Sequence, residues 1–278
     1  MNRYKVGLAQ IHSLLGNVED NLNKHLEYID RAKAHEVDVL AFPELSLTGY
    51  LLRDLAYEVS DKCLEALDEV KKASKGICVI VGLVEETRLG IYRNSLAIVQ
   101  NGALKGFIPK VYLPNYGLFE ESRYFTRGYA RDLKLFNHKG LKFSAVICED
   151  AWHPEPIEFL SRIGADLVFI CSSSPLRGLY GKDDTFVEKL WESMNITRAV
   201  ENTVFIAYVN RVGVEDEEYF WGGSMVISPT GEILVRAKKM EENLLIAEID
   251  LHTLRRARRF SSFKDHAIDL HRYLSELP

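Results

Sequence analysis

Three short segments of this 278-residue chain place a reactive side chain at the end of an apolar run. In VDVLAFPELSLTGY, Glu44 follows Leu-Ala-Phe and a proline, and Thr48-Gly49 then signals a turn. In LKFSAVICEDAW, Cys148 closes a buried-type run and is followed at once by Glu149 and Asp150. In GFIPKVYLPNYGLFEESRYFTRG, Lys110 enters a loop rich in aromatic and turn residues, with Glu120 and Glu121 ten and eleven positions downstream. Catalytic groups collect at strand ends, where the backbone is rigid and the side chain faces a crevice. At such a position a thiol can act as a nucleophile and a carboxylate or an amine can carry charge or a proton. The plainer alternatives are a core thiol, a solvated lysine and a loop carboxylate. The core alternative suits Cys63, on a helix stripe, and Cys78, inside an apolar run, better than Cys148, because two carboxylates mark the end of its buried segment.

The elements that must position these groups follow from periodicity. Nine runs read as buried or half-buried strands: VGLAQI, VDVLAF, ICVIVGLV, NSLAIVQ, FSAVIC, ADLVFIC, TVFIAYV, SMVISP and LLIAEID. Between them lie amphipathic stretches. Asn17 can cap a helix with the stripe Leu22, Leu26, Ile29 and Ala32. A second helix is predicted over 54–74 through Cys63, Leu67 and Val70. A third is predicted over 184–201 through Val187, Leu190, Trp191 and Met194, and a shorter one over 155–163. Some strand runs follow each other with no helix between, so mixed sheets with hairpins are expected within an α/β architecture. No linker or compositional break interrupts the chain, and a single domain over residues 1–278 is the simpler expectation.

Composition excludes several classes. With 47% hydrophobic and 27% charged residues, the chain is neither disordered nor fibrous. A net charge of −5 argues against a dedicated nucleic-acid binder. The basic run Arg255–Arg259 therefore reads as a solvated helix face or a subunit contact. Four cysteines do not make a disulfide framework in a chain this long. The first residues lack a signal-peptide pattern, and the longest apolar run, Ile77 to Val84, is far short of a membrane span. A soluble cytoplasmic protein with reduced thiols is expected. No CxxC or HxxxH supports a metal, and Leu176 stands where a phosphate loop ending at Gly181-Lys182 needs glycine. GxGxxG and GxSxG are missing too, so no cofactor is expected.

The set FPELSLTGY, KVYLPNYGLFEESRYF and CEDAW, in that order, resembles the nitrilase (carbon–nitrogen hydrolase) superfamily. The likeness extends through GLAQIHSLLGNVEDNL, RAVENTVFIAYVNRVG and GGSMVISPTGEIL, which together cover most of the chain. The resemblance implies a four-layer α-β-β-α sandwich with two mixed sheets. It assigns Cys148 as nucleophile, Glu44 as general base, Lys110 as cationic partner and Glu121 as a second glutamate supporting the lysine and the substrate. Such a set would attack a small carboxamide, form a thioester, release ammonia and then hydrolyse the thioester with water.

Within the superfamily, LPNYGLFEESRYF and CEDAW most resemble the glutaminase domain of glutamine-dependent NAD synthetases. By that likeness Tyr116 and Glu149 would bind the α-amino end of glutamine, Trp152 and Tyr50 would wall the pocket, and Ser174 would touch the amino-acid head. Those synthetases carry a second, ATP-using domain, of which this sequence shows no signature. The expectation is a glutaminase that passes ammonia to a separate synthetase, or an independent amidase. A free-standing ω-amidase, a nitrilase, or a non-catalytic partner subunit of the same fold is the alternative. By analogy with the family a homo-oligomer built from dimers is expected. The segment 250–278, with Leu251, Leu254, Phe260, Phe263, Leu270 and Tyr273, either crosses to a neighbour or packs on its own subunit.

Overall fold

A computed structural model describes residues 3–177 and 186–261. The first half of the chain runs β1 (Arg3–Gln10), α1 (Val18–Ala34), β2 (Val39–Ala41), α2 (Ala56–Ala73), β3 (Cys78–Arg88), β4 (Ile91–Gln100) and β5 (Ala103–Pro109). β1, β2 and β3 lie parallel, with α1 and α2 as the crossovers, while β4 and β5 add as antiparallel hairpins. After the one-turn helix α3 (Glu121–Tyr124) the second half repeats the scheme. β6 (Phe136–His138) and β7 (Leu141–Ile147) form a hairpin. A 3-10 turn over Cys148–Trp152 and α4 (Pro154–Arg162) lead to β8 (Leu167–Ser172), and α5 (Phe186–Asn202) to β9 (Phe205–Asn210). β7, β8 and β9 are parallel. A separate hairpin, β10 (Val212–Glu215) with β11 (Glu218–Trp221), precedes β12 (Met225–Ile227), which pairs antiparallel with β9, and β13 (Ile233–Arg236), which pairs antiparallel with β12. β14 (Asn243–Asp250) returns to the first sheet beside β1, and α6 (Leu251–Phe260) follows.

The result is two six-stranded mixed sheets, ordered β14-β1-β2-β3-β4-β5 and β13-β12-β9-β8-β7-β6. Their faces are assigned by strand alternation. Val6, Leu8, Val39, Ala41, Ile80 and Ile98 share a core with Phe143, Ala145, Phe169 and Ala207 of the other sheet. Leu40, Phe42, Val79, Val81, Ala97 and Val99 point the other way, onto Tyr28 and Ile29 of α1 and Val59, Cys63 and Leu67 of α2. Ile157 and Leu160 of α4 and Trp191 and Ala199 of α5 pack with the second sheet. The four-layer α-β-β-α sandwich expected from the sequence is therefore observed.

All nine predicted strand runs form strands. Five more, β5, β6, β10, β11 and β13, were not legible, being short or partly exposed. Asn17 caps α1 by accepting the Asp20 N–H at 3.2 Å. The buried stripe of α1 is Val18, Asn21, His25, Tyr28, Ile29 and Ala32; Leu22 and Leu26 are only half-buried. The stripe is rotated because two polar residues are satisfied inside it. Asn21 donates to Leu14 O and Leu47 O, and His25 meets Asn21 O and Ser46 Oγ while stacking on Phe42. In the basic run, Arg255, Arg256 and Arg259 are exposed, while Arg258 ties α6 to Asp166 and Ala165 O. Phe263, Leu270 and Tyr273 of the predicted tail lie outside the described residues, as does the predicted start of the third helix at Asp184. Among the described residues, no helix is long and apolar enough to cross a membrane.

Candidate active site

Glu44 lies three residues beyond the end of β2, in a turn pressed against β3. Gly82 of β3 is required there, because a Cβ would sit 2.4 Å from Leu45 N and Pro43 O. The Glu44 carboxylate is buried and fully engaged. Oε1 accepts from Asn94 Nδ2 at 2.7 Å and Lys110 Nζ at 2.6 Å, and Oε2 accepts the Ser173 N–H at 3.0 Å. Lys110 follows the last residue of β5, and its ammonium is buried between two acids: Glu44 Oε1 and Glu121 Oε1, the latter at 2.5 Å. Burial alone would lower the Lys110 ammonium; Glu121 and Glu44 outweigh it and hold the group well above the usual lysine range. Glu121 opens α3 and also accepts from Tyr50 OH at 2.6 Å. Burial pushes its carboxyl up to about 7, with Lys110 opposing and Glu44 adding to the push. Its second oxygen, Oε2, is buried and has no hydrogen-bond partner among the described residues.

Cys148 opens the 3-10 turn that follows β7, with φ at +41°. A non-glycine residue in this left-handed region is strained, and it is held there by its surroundings. Asp150 supplies them. One oxygen accepts Ile147 N–H at 3.0 Å, and the other accepts Val111 and Tyr112 N–H at 3.0 and 2.8 Å. Asp150 thus sews the Cys148 turn to the segment that carries Lys110. The sequence reading treated Glu149 and Asp150 alike as marking the end of burial. Asp150 is in fact wholly buried, because three backbone donors replace its water, while Glu149 is only half-buried.

The thiol is next to this acid–amine–acid array. Ser172 Oγ donates to Cys148 Sγ at 3.2 Å, and the next residue, Ser173, holds Glu44 through its N–H and also donates its hydroxyl to Glu44 O at 2.8 Å. The end of β8 therefore spans thiol and base. Burial holds Cys148 well above the usual thiol range, with Glu44 adding to the effect and Lys110 opposing it. A thiol in that state needs a proton acceptor to become a nucleophile.

A cavity of about 500 Å³ opens on Cys148, lined by Tyr116, Phe119, Glu149, Trp152 and Ser174 among others. Tyr116 OH donates to Glu149 Oε2 at 2.7 Å. Trp152 is 38% exposed and meets Trp191 edge-on at 5.7 Å. Ser174 Oγ accepts from Trp191 Nε1 at 2.8 Å, so the hydroxyl is already engaged. Tyr50 is not on this wall. It lines an adjoining cavity of about 770 Å³ together with Glu121, Glu120 and Asp216, and its ring lies 5.9 Å from Lys110 Nζ. The structure thus brings together Glu44, Lys110, Glu121 and Cys148, and groups four of the five predicted substrate residues over the thiol. Sequence reasoning missed Asn94, Asp150, Ser172 and Ser173. The serines follow a buried run as directly as Glu44 does, so the strand-end rule applied evenly would have found them. Among the described residues no group of three or more His, Cys, Asp or Glu side chains is disposed to hold a metal ion.

Comparison with known proteins places the fold and the family. The chain is 36% identical over 258 residues to a glutamine-dependent NAD(+) synthetase of Aquifex aeolicus, covering 90% of this chain and 43% of that one. It superposes on the glutamine-dependent NAD+ synthetase of Acinetobacter baumannii with a TM-score of 0.84 at 34% identity, over 91% of this chain and 46% of the other. It superposes on a carbon-nitrogen hydrolase of Helicobacter pylori with a TM-score of 0.90 at 22% identity, over 99% and 98%. The chain spans less than half the length of the synthetases it matches. Residues 5–259 match the carbon-nitrogen hydrolase family, and the chain belongs to that family of hydrolases acting on carbon–nitrogen bonds.

Proposed function

We propose that the protein hydrolyses a small carboxamide through a Cys148 thioester and releases ammonia, with glutamine as the substrate. Support comes from one observation above all: a buried lysine bridges two buried glutamates beside a buried thiol. Such a group is costly to bury and does chemistry that no single member could.

As the Cys148 sulfur bonds to the amide carbon, Glu44 takes the thiol proton. The carbonyl oxygen becomes an oxyanion, stabilised by the Lys110 ammonium and a backbone N–H beside Cys148. A donor of this kind is commonly worth about 3 kcal/mol. The carbon–nitrogen bond then breaks, and Glu44 returns the proton to the departing nitrogen, which leaves as ammonia. Glu121 holds Lys110, and its free Oε2 accepts an N–H of the reacting amide. Water, deprotonated by Glu44, next attacks the thioester. The carbon–sulfur bond breaks, a carboxylic acid is released, and the thiol is restored. The names of the matched relatives support glutamine, and Glu149 in the cavity supplies an acceptor for its ammonium. The same names support delivery of the ammonia to a synthetase.

Replacement of Cys148 by alanine tests the scheme. Ammonia release from glutamine falls below about 10⁻³ of wild type while the circular dichroism spectrum stays native. Substantial residual turnover in a folded Cys148→Ala protein overturns the nucleophile. No ammonia from glutamine in the wild type, alone or with an NAD synthetase domain present, overturns the substrate.

A further inference from the structure

We infer that Arg177 selects the substrate by binding its carboxylate across the cavity from Glu149, so that the site takes the ω-amide of a zwitterionic α-amino acid. The inference rests on the proposed amide hydrolysis and adds a residue that the sequence did not single out.

Arg177 lines the same cavity as Cys148 and Glu149. Its guanidinium lies over Phe119, with Cζ 3.9 Å from that ring's centre and 5.3 Å from the centre of Tyr116. Its Nη2 is buried and has no hydrogen-bond partner among the described residues. A buried guanidinium N–H without an acceptor is unfavourable unless an acceptor arrives. The group is planar and pre-oriented, and it fits a two-oxygen anion better than a single oxygen.

Glu149 is the complement. Tyr116 OH occupies Oε2, while Oε1 lies 3.7 Å from His153 Nε2, beyond hydrogen-bond distance. Glu149 and Arg177 both line the cavity, and each keeps an atom without a hydrogen-bond partner among the described residues. Tyr116 couples the two, since it bonds Glu149 and lies under Arg177. A phosphate or other multiply charged anion would be repelled by Glu149, and a simple aliphatic amide would leave both charges unpaired. An α-ammonium with an α-carboxylate satisfies both, and its side-chain amide reaches toward Cys148. The cost of leaving either charge unpaired is what gives such a site its discrimination.

Three amides separate the contributions: glutamine, 4-aminobutanamide (glutamine without its carboxylate) and 4-carbamoylbutanoate (glutamine without its ammonium). Arg177→Met lowers kcat/KM for glutamine and 4-carbamoylbutanoate on the order of 30-fold, chiefly through KM. Its loss on 4-aminobutanamide is at least about ten-fold smaller. Arg177→Lys recovers part of the glutamine activity, because it restores the charge without the planar fork. Glu149→Gln gives the opposite pattern, sparing 4-carbamoylbutanoate relative to 4-aminobutanamide. Equal losses on all three amides in Arg177→Met, or no loss on glutamine, overturn the inference. A binding arm keeps it separate from the hydrolysis proposal. Glutamine is titrated calorimetrically into Cys148→Ala with and without Arg177→Met. If wild type hydrolyses none of the amides but Cys148→Ala binds glutamine and loses it on Arg177→Met, the hydrolysis proposal falls and the role of Arg177 stands. If Cys148→Ala does not bind glutamine, the inference falls.

Discussion

At the centre of the site, two carboxylates share one ammonium, and burial decides how many protons they keep. Glu121 titrates at about 7 in the fold, against 4.5 for an ordinary glutamate. Between those values the native state holds a proton that the unfolded chain has released. Its contribution to stability is therefore fully present below about pH 4.5 and is lost as pH rises through about 7. Asp150, pushed up to about 7 by burial against the pull of its three backbone donors, acts in the same direction. Glu85, raised by burial, adds to this, while His25, lowered by burial to about 4, opposes it. In urea unfolding between pH 4.5 and 7.5, Glu121→Gln removes the Glu121 share, so wild-type stability should fall more, or rise less, with pH than that of the variant. Superimposable slopes for the two proteins would refute a raised Glu121.

The elements matter because each working residue sits where a strand stops. Glu44 follows β2, Lys110 follows β5, Cys148 follows β7, Ser172 closes β8 and Ser173 follows it. What aligns them is contact between the turns themselves. Gly82 lets the Glu44 turn lie against β3, and Asp150 joins the Cys148 turn to Val111 and Tyr112. A methyl group at position 82 meets backbone, which cannot swing aside as a side chain would. Gly82→Ala is expected to displace Glu44 and lower kcat/KM about 100-fold, as misplacement of a reacting group by about 1 Å does. The far-UV circular dichroism should stay native. Wild-type turnover in this variant would show that the close approach does not set the position of Glu44.

Across the molecule, a buried ion pair ties regions remote in sequence. Arg211, after β9, donates to Glu215 Oε2 at 2.5 Å and to Ser13 O at 2.7 Å, and its guanidinium covers Phe220. Glu215 accepts the Tyr50 and Leu51 N–H groups in turn, and Tyr50 reaches Glu121. The β10–β11 hairpin thereby fixes a turn of the first sheet that supports the lysine's second acid. Removing one partner of such a pair strands the other charge in the interior. Glu215→Ala should cost about 3–5 kcal/mol in urea unfolding, and the double variant with Arg211→Met should recover part of that loss. If the single variant costs less than about 1 kcal/mol, the pair does not hold the turn.

The sequence by itself determined the local facts. Nine strands and the main helices were legible because each buries a continuous or periodic apolar set, and periodicity is written in neighbouring residues. Glu44, Lys110 and Cys148 stood out because a reactive side chain at the end of an apolar run is a local pattern as well. Tertiary structure decided what depends on partners from elsewhere in the chain. It buried Asp150 and left Glu149 facing the cavity, though the two are adjacent acids, because only one meets three backbone donors. It rotated the stripe of α1 toward Asn21 and His25, and placed Tyr50 behind Glu121 rather than over the thiol. It added β5, β6, β10, β11 and β13, whose pairing is set by the strands beside them more than by their own composition. It also buried one nitrogen of Arg177 with no acceptor among the described residues. A polar group's place inside a protein is fixed by which donors and acceptors reach it, and those arrive from segments that sequence distance does not bring together.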